Sequence, residues 1–141
     1  MEKMTDAQWR EFVSTGTRTG KAALVRADGG PHVTPIWFVL DGDGVVFTTP
    51  SGSVKERALR RDPRLAICVD DQEPPYSYVM IQGEVTLSDD PGELLKWATI
   101  LGGRYMGADR AEEYGKRNAV PGECLVRLRI TKVIAQRDIA D

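Results

Sequence analysis

Two glycine-bearing turns constrain this chain more than any other feature: Ala27-Asp28-Gly29-Gly30-Pro31 and Asp41-Gly42-Asp43-Gly44. Glycine supplies the positive φ angles that tight hairpins demand, and apolar, strand-forming residues flank both turns. The spacing predicts antiparallel strands over Lys21–Arg26, His32–Leu40 and Val45–Thr49. Three more follow at Leu65–Val69, Ser77–Leu87 and Cys124–Ala135. Thr5 and Gln8 have the residue types and spacing of a capping box, and Trp9, Phe12 and Val13 continue at helical spacing to about Ser14. Further helices are expected over Val54–Arg61, closed by Asp62-Pro63, and over Pro91–Leu101 and Ala108–Asn118, with Gly102-Gly103 breaking the last two apart. Hairpins early and helices late favour a mainly β chain with flanking helices, a closed or partly closed six-stranded barrel rather than a sandwich. With no repeat, linker or low-complexity tract, residues 1–141 read as a single domain.

Composition narrows the function. The chain has 19 basic and 21 acidic residues, a formal charge of −2, which excludes nucleic-acid binding driven by net charge. No stretch approaches the ~20 apolar residues of a membrane span. The N-terminus, MEKMTDAQWR, has no apolar run, so neither a signal peptide nor a membrane partner is expected, and the expected location is the cytoplasm. Cys68 and Cys124 stand in apolar strands without metal-ligand spacing and read as reduced core residues. No metal site is expected.

Two strands carry more apolar surface than a small barrel can use. In Ser77–Leu87, Val79, Ile81, Val85 and Leu87 alternate with Tyr78, Met80, Gln82, Glu84 and Thr86. The first set fills the barrel, yet the outward set includes the large apolar bodies of Tyr78 and Met80. In His32–Leu40, Trp37 and Val39 lie opposite Ile36 and Phe38, so both faces need cover. The inserted helices, a second subunit and a flat cofactor ring are three ways to supply it.

The segment FTTPSGSVKERALRRDPRLAICV carries the chemistry. Ser53 and Glu56 have capping-box spacing, so a helix starts there with its first N–H groups directed toward Thr48–Ser53. Such N-termini attract anions, because those N–H groups lack partners and the macrodipole adds about half a positive charge. Thr48, Thr49, Ser51 and Ser53 bring hydroxyls, and Lys55 in the first turn breaks the usual preference for acids there. Arg57, Arg60, Arg61 and Arg64 extend the patch. The residues alone admit two readings, a phosphate site and a well-capped surface helix with a solvated basic face.

The order of these pieces resembles the pyridoxamine-phosphate-oxidase-like split β-barrel family. The matching residues are Lys55, Arg57, Leu59, Arg60, Arg61, Asp62, Pro63 and Arg64, preceded by the hairpins of residues 26–49 and followed by YSYVMIQGEVTLSDDP at 76–91. The likeness runs through about Arg18–Ala135, and within the family this short form is similar to the branch that uses the deazaflavin coenzyme F420 rather than FMN. Where relatives often carry Asn, this chain has Ala58. The resemblance implies that Lys55 holds a cofactor phosphate with help from Thr48, Thr49 and Ser53, with Arg57 beside them. It implies that His32–Trp37, including Pro35, Ile36 and Trp37, faces the cofactor ring, with Tyr78, Met80 and Gln82 on the far side of the cleft. It also implies a homodimer with sites at the subunit interface, to which Trp97 or Arg104 of a second copy would contribute.

His32, the only histidine, reads as a solvent or hydrogen-bonding residue or a cofactor contact rather than a metal ligand. Tyr76, Tyr78 and Tyr105 read as packing residues before proton donors. No nucleophile elbow, phosphate loop or dinucleotide fingerprint occurs. The expected activity is therefore an F420-dependent oxidoreductase passing a hydride to an unsaturated small-molecule substrate, with no catalytic side chain assigned. The alternatives are an FMN-dependent oxidase or flavin reductase of the same fold, or a non-catalytic deazaflavin- or haem-binding protein.

Overall fold

A computed structural model describes residues 1–141. The strands are β1 (Glu2–Lys3), β2 (Gly20–Val25), β3 (Pro31–Ile36), β4 (Val39–Asp41), β5 (Gly44–Pro50), β6 (Arg64–Asp70), β7 (Tyr78–Ser88) and β8 (Glu123–Arg137). The helices are α1 (Asp6–Ser14), α2 (Val54–Arg61), α3 (Pro91–Met106) and α4 (Ala111–Asn118), with a 3-10 turn at Ala108–Arg110. No helix is long and apolar enough to cross a membrane.

All strands join one antiparallel sheet in the order β3-β2-β6-β7-β8-β5-β4, with β1 added to β8. The sheet has eight strands rather than six. One extra is the two-residue β1; the other arises because the expected strand His32–Leu40 is two strands, broken at Trp37–Phe38. That break has a topological cause. β3 and β4 are consecutive in the chain yet occupy opposite edges of the sheet. The ring is thus completed by the polypeptide crossing from one edge to the other, not by a ladder of hydrogen bonds. This is the split in the barrel.

Alternation along the strands places the core as the sequence suggests. Ala22, Leu24, Ile67, Val69, Val79, Ile81, Val85, Val126 and Leu128 fill the interior, closed by Trp9 and Val13 of α1 and by Ala58 and Leu59 of α2. A bulge shifts the register of β7 against β8 at Gln82/Gly83. There the backbones pass so closely that a Cβ at Gly83 would collide with the Arg129 carbonyl.

Some local expectations hold and others are corrected. The Thr5 capping box forms with both reciprocal bonds, Gln8 N to Thr5 Oγ1 at 3.2 Å and Thr5 N to Gln8 Oε1 at 2.9 Å. The Ser53 box forms only half: Glu56 N donates to Ser53 Oγ at 3.1 Å. The Ser53 N–H is spent on the Pro50 carbonyl, and the Glu56 carboxylate pairs with Arg60 instead. Gly102-Gly103 does not break α3, which runs to Met106. An added Cβ on Gly102 would sit 2.6 Å from the Tyr114 Cβ, so this glycine lets α4 pack against α3. Cys124 is buried as expected, but Cys68 is only half-buried because it lies on the outward face of β6 opposite Met80. Trp37 and Val39 are covered by the chain's own helices: Trp37 meets Tyr105 and Tyr114, and Val39 packs on Val46, Leu94, Trp97 and Leu125.

Candidate functional site

β5 ends and α2 begins through the bend Pro50-Ser51-Gly52-Ser53, where Gly52 adopts φ +80°. The bend is fixed by Ser51 N donating to the Gly122 carbonyl at 2.7 Å and by a 3.2 Å hydrogen bond between the Thr49 and Ser53 hydroxyls. Thr49 is 1% exposed, so its hydroxyl serves the bend. α2 then packs beside β2, which brings Lys55 across to the edge strand β3. Its ammonium donates to Thr34 Oγ1 at 2.7 Å.

Beside that ammonium is a cavity of about 210 Å³ lined by Pro35, Ile36, Trp37, Thr48, Thr49, Pro50, Lys55, Ala98, Leu101 and Asn118. One wall is apolar and partly aromatic; the opposite corner carries Lys55 and the threonines. Lys55 forms no ion pair with any carboxylate, and Thr34 is its one hydrogen-bond partner. Burial pushes its pKa below the usual lysine value. A half-buried ammonium with donors to spare suits an oxyanion, and the apolar wall suits a flat ring. The residues therefore fit a phosphate-bearing aromatic cofactor. The donor set does not distinguish a deazaflavin from a flavin.

The expected site residues fall into three groups. Thr48, Thr49, Lys55, Pro35, Ile36 and Trp37 line this cavity together, and Ser53 adjoins it through Thr49. Arg57 is exposed on α2, and His32 is half-buried on β3 opposite Leu24; neither lines the cavity. Tyr78, Met80 and Gln82 lie elsewhere in one chain, on the outer face of the sheet. There Pro35, Lys21, Cys68, Met80 and Ile134 form one cross-strand row, and Val33, Ala23, Ala66, Gln82 and Lys132 the next. Gln82 also borders a larger cleft of about 670 Å³ on that face, with Ala23, Val25, Arg64, Glu84 and Arg129.

Most of the basic patch is spent locally. Arg60 pairs with Glu56, and Arg61 donates to the Val25 carbonyl at 2.9 Å. Arg64 pairs with Asp62, holding that carboxyl down to about 2. Ala58 is buried in the core, so the position where relatives often carry Asn points away from solvent here. In the same chain, Trp97 and Arg104 are structural. Trp97 is buried against Val46, Leu94 and Leu125. Arg104 donates to the carbonyls of Val13 and Phe38 at 2.6 Å and of Gly16 at 3.0 Å.

Ala98, Leu101 and Asn118 also line the cavity, and the sequence does not mark them as site residues. The helical spacing of α3 marks Ala98 and Leu101 as facing inward, but nothing local says that they face a cavity. Nothing around Asn118 marks it at all.

The family pattern of pyridoxamine 5'-phosphate oxidase matches residues 5–137. The chain belongs to this family. Among solved structures of the family's fold, an F420 reductase is 30% identical, with a TM-score of 0.67 over 87% of this chain and 94% of that one. A conserved hypothetical protein from Mycobacterium tuberculosis superposes with a TM-score of 0.84 over 98% of this chain and 89% of its own, at 23% identity. The haem storage protein HutZ from Vibrio cholerae reaches a TM-score of 0.71 over 92% and 94% of the two chains, at 16% identity. The last two likenesses show the fold alone. No curated protein matches the sequence. The split-barrel fold and the pyridoxamine-phosphate-oxidase-like family expected from the sequence are thus both shown.

Proposed function

We propose that this family member is an F420-dependent oxidoreductase acting on an unsaturated small molecule. The observation that carries the reading is the cavity at the β5–α2 bend, where the Lys55 ammonium, bonded to Thr34 but to no carboxylate, shares the lining with apolar residues including Trp37. The 30% identity to an F420 reductase supports the deazaflavin over other cofactors. When bound and reduced, a deazaflavin would supply the hydride for an electrophilic carbon of the substrate, with the proton coming from solvent or a nearby donor. Lys55 and the Thr48 hydroxyl hold the phosphate; Thr49 and Ser53 fix the bend that aims them. Ile36, Trp37, Ala98 and Leu101 exclude water from one side of the ring.

The cavity is smaller than the ~300 Å³ at which pockets for drug-sized ligands begin. The rest of the cofactor and the substrate therefore need a second wall. In this reading a second copy of the chain supplies it by packing on the outer face, where Val33 is 59% exposed and Tyr78 and Met80 are half-buried. The cytoplasm, where the free thiols of Cys68 and Cys124 stay reduced, is the compartment this chemistry implies.

A second reading, FMN as the cofactor, rests on the same donor set, because Lys55 serves either phosphate. The haem alternative is less favoured, since His32, the one imidazole, does not line the cavity. The test of catalysis is single-turnover reoxidation of the reduced deazaflavin against a panel of activated alkenes and quinones. Reoxidation faster than that of the free cofactor for at least one acceptor is expected. Equal rates for every acceptor would reduce the reading to cofactor binding.

A further inference from the structure

The split in the barrel leaves a backbone problem at Phe38. It lies between the β3 and β4 ladders, and its ring is fully buried. Its N–H and C=O must still find partners, because buried main-chain groups left unpaired are costly. The C-terminal turn of α3 supplies both. The Tyr105 hydroxyl accepts from Phe38 N at 3.2 Å and itself donates to the Arg18 carbonyl at 2.8 Å. Arg104 donates to the Phe38 carbonyl at 2.6 Å.

The same turn controls the neighbouring side chain. The Tyr105 ring stacks on Trp37 with centroids 5.1 Å apart and planes 5° from parallel. The Tyr114 ring meets Trp37 at 6.2 Å and 57°. One face of the indole is therefore covered by Tyr105, and Trp37 is also among the residues lining the Lys55 cavity. Burial raises the Tyr105 pKa, and its hydroxyl is already engaged as both donor and acceptor.

We infer that Tyr105 is the positioning residue of the cavity: it pins the Phe38 N–H with its hydroxyl and holds Trp37 flat with its ring, so that the indole is a preset wall for a planar ligand. Tyr105 lines no part of the cavity itself, so it acts on the cavity through Trp37 and the Phe38 backbone that carries it. The inference rests on the reading of this cavity as the cofactor site.

The test combines a ligand-free readout with a binding cycle. In the free protein, the indole N–H resonance of Trp37, assigned with Trp37→Leu, loses its stacking partner in Tyr105→Leu and should shift clearly; Tyr105→Phe should leave it close to its original position. An unmoved resonance in Tyr105→Leu overturns the inference. In titrations with the deazaflavin and with FMN, Tyr105→Leu should weaken the ring-bearing ligand about fivefold, the scale of one aromatic contact. The same change in a Trp37→Leu background should cost nothing further. Losses that multiply would mean that Tyr105 acts by another route, and a purely structural role would lower affinity equally in both backgrounds. Wild-type protein that binds neither ligand defeats the proposed function, while the indole resonance still decides the role of Tyr105.

Discussion

At the residue scale, Lys55 is the point on which the site turns. Its removal should cost little stability, because Thr34 is its only partner. It should cost the cofactor ~1.5–3 kcal/mol, the value of a charge-assisted hydrogen bond. Calorimetric titration of Lys55→Ala checks this, and unchanged affinity would remove the phosphate site. The pH dependence follows from burial, which lowers the Lys55 pKa below its ordinary 10.5. A bound anion favours the protonated form, so binding takes up a proton once the free lysine begins to neutralise. Affinity should fall as pH rises through that depressed pKa, and Lys55→Arg, which stays charged, should flatten the slope. Arg104 provides a contrast. It bonds three carbonyls from α1, the following turn and the barrel split, and it does not line the cavity. Arg104→Ala should destabilise the fold by ~2–4 kcal/mol in urea denaturation.

At the element scale, the α3–α4 pair sets the shape of the cavity, since α3 contributes Ala98 and Leu101 and α4 contributes Asn118. Its glycines differ in what they allow. A Cβ on Gly102 would meet the Tyr114 Cβ at 2.6 Å, whereas one on Gly103 would meet the Ala111 Cβ at 3.3 Å. Gly102→Ala should cost ~1–3 kcal/mol through overpacking and Gly103→Ala distinctly less, as thermal melts would show; equal effects would contradict this packing account. Here lies the boundary of what the sequence reveals. Alternation and turn chemistry expose the strands, and hydroxyls followed by Lys55 expose the bend, because those signals are local. Gly102 misleads for the same reason: its propensity says helix breaker, while its role depends on Tyr114, twelve positions away. The break at Trp37–Phe38 hides in an unbroken apolar run, since only the closure of the whole sheet shows that β3 and β4 belong to opposite edges. Asn118 reaches the cavity through tertiary packing alone.

At the scale of the whole molecule, the cavity and the outer face of the sheet are neighbours. Pro35 belongs both to the cavity and to the outer row that contains Met80, so the cavity opens beside the face carrying Tyr78, Met80 and Gln82. This arrangement gives a use for the outward apolar side chains of β7 that the barrel interior does not. If a second copy covers that face, Val33→Asp should raise the dimer dissociation constant at least about tenfold, since burying an unpaired carboxylate costs more than the ~1.4 kcal/mol this represents. Sedimentation equilibrium reads this directly, and a wild-type monomer at micromolar concentration would remove the second wall.

The most direct test of the central claim is a pair of fluorescence titrations of the purified protein, one with coenzyme F420 and one with FMN. The account predicts saturable binding that favours the deazaflavin and is weakened in Lys55→Ala. Preference for FMN, or binding of neither, would contradict it.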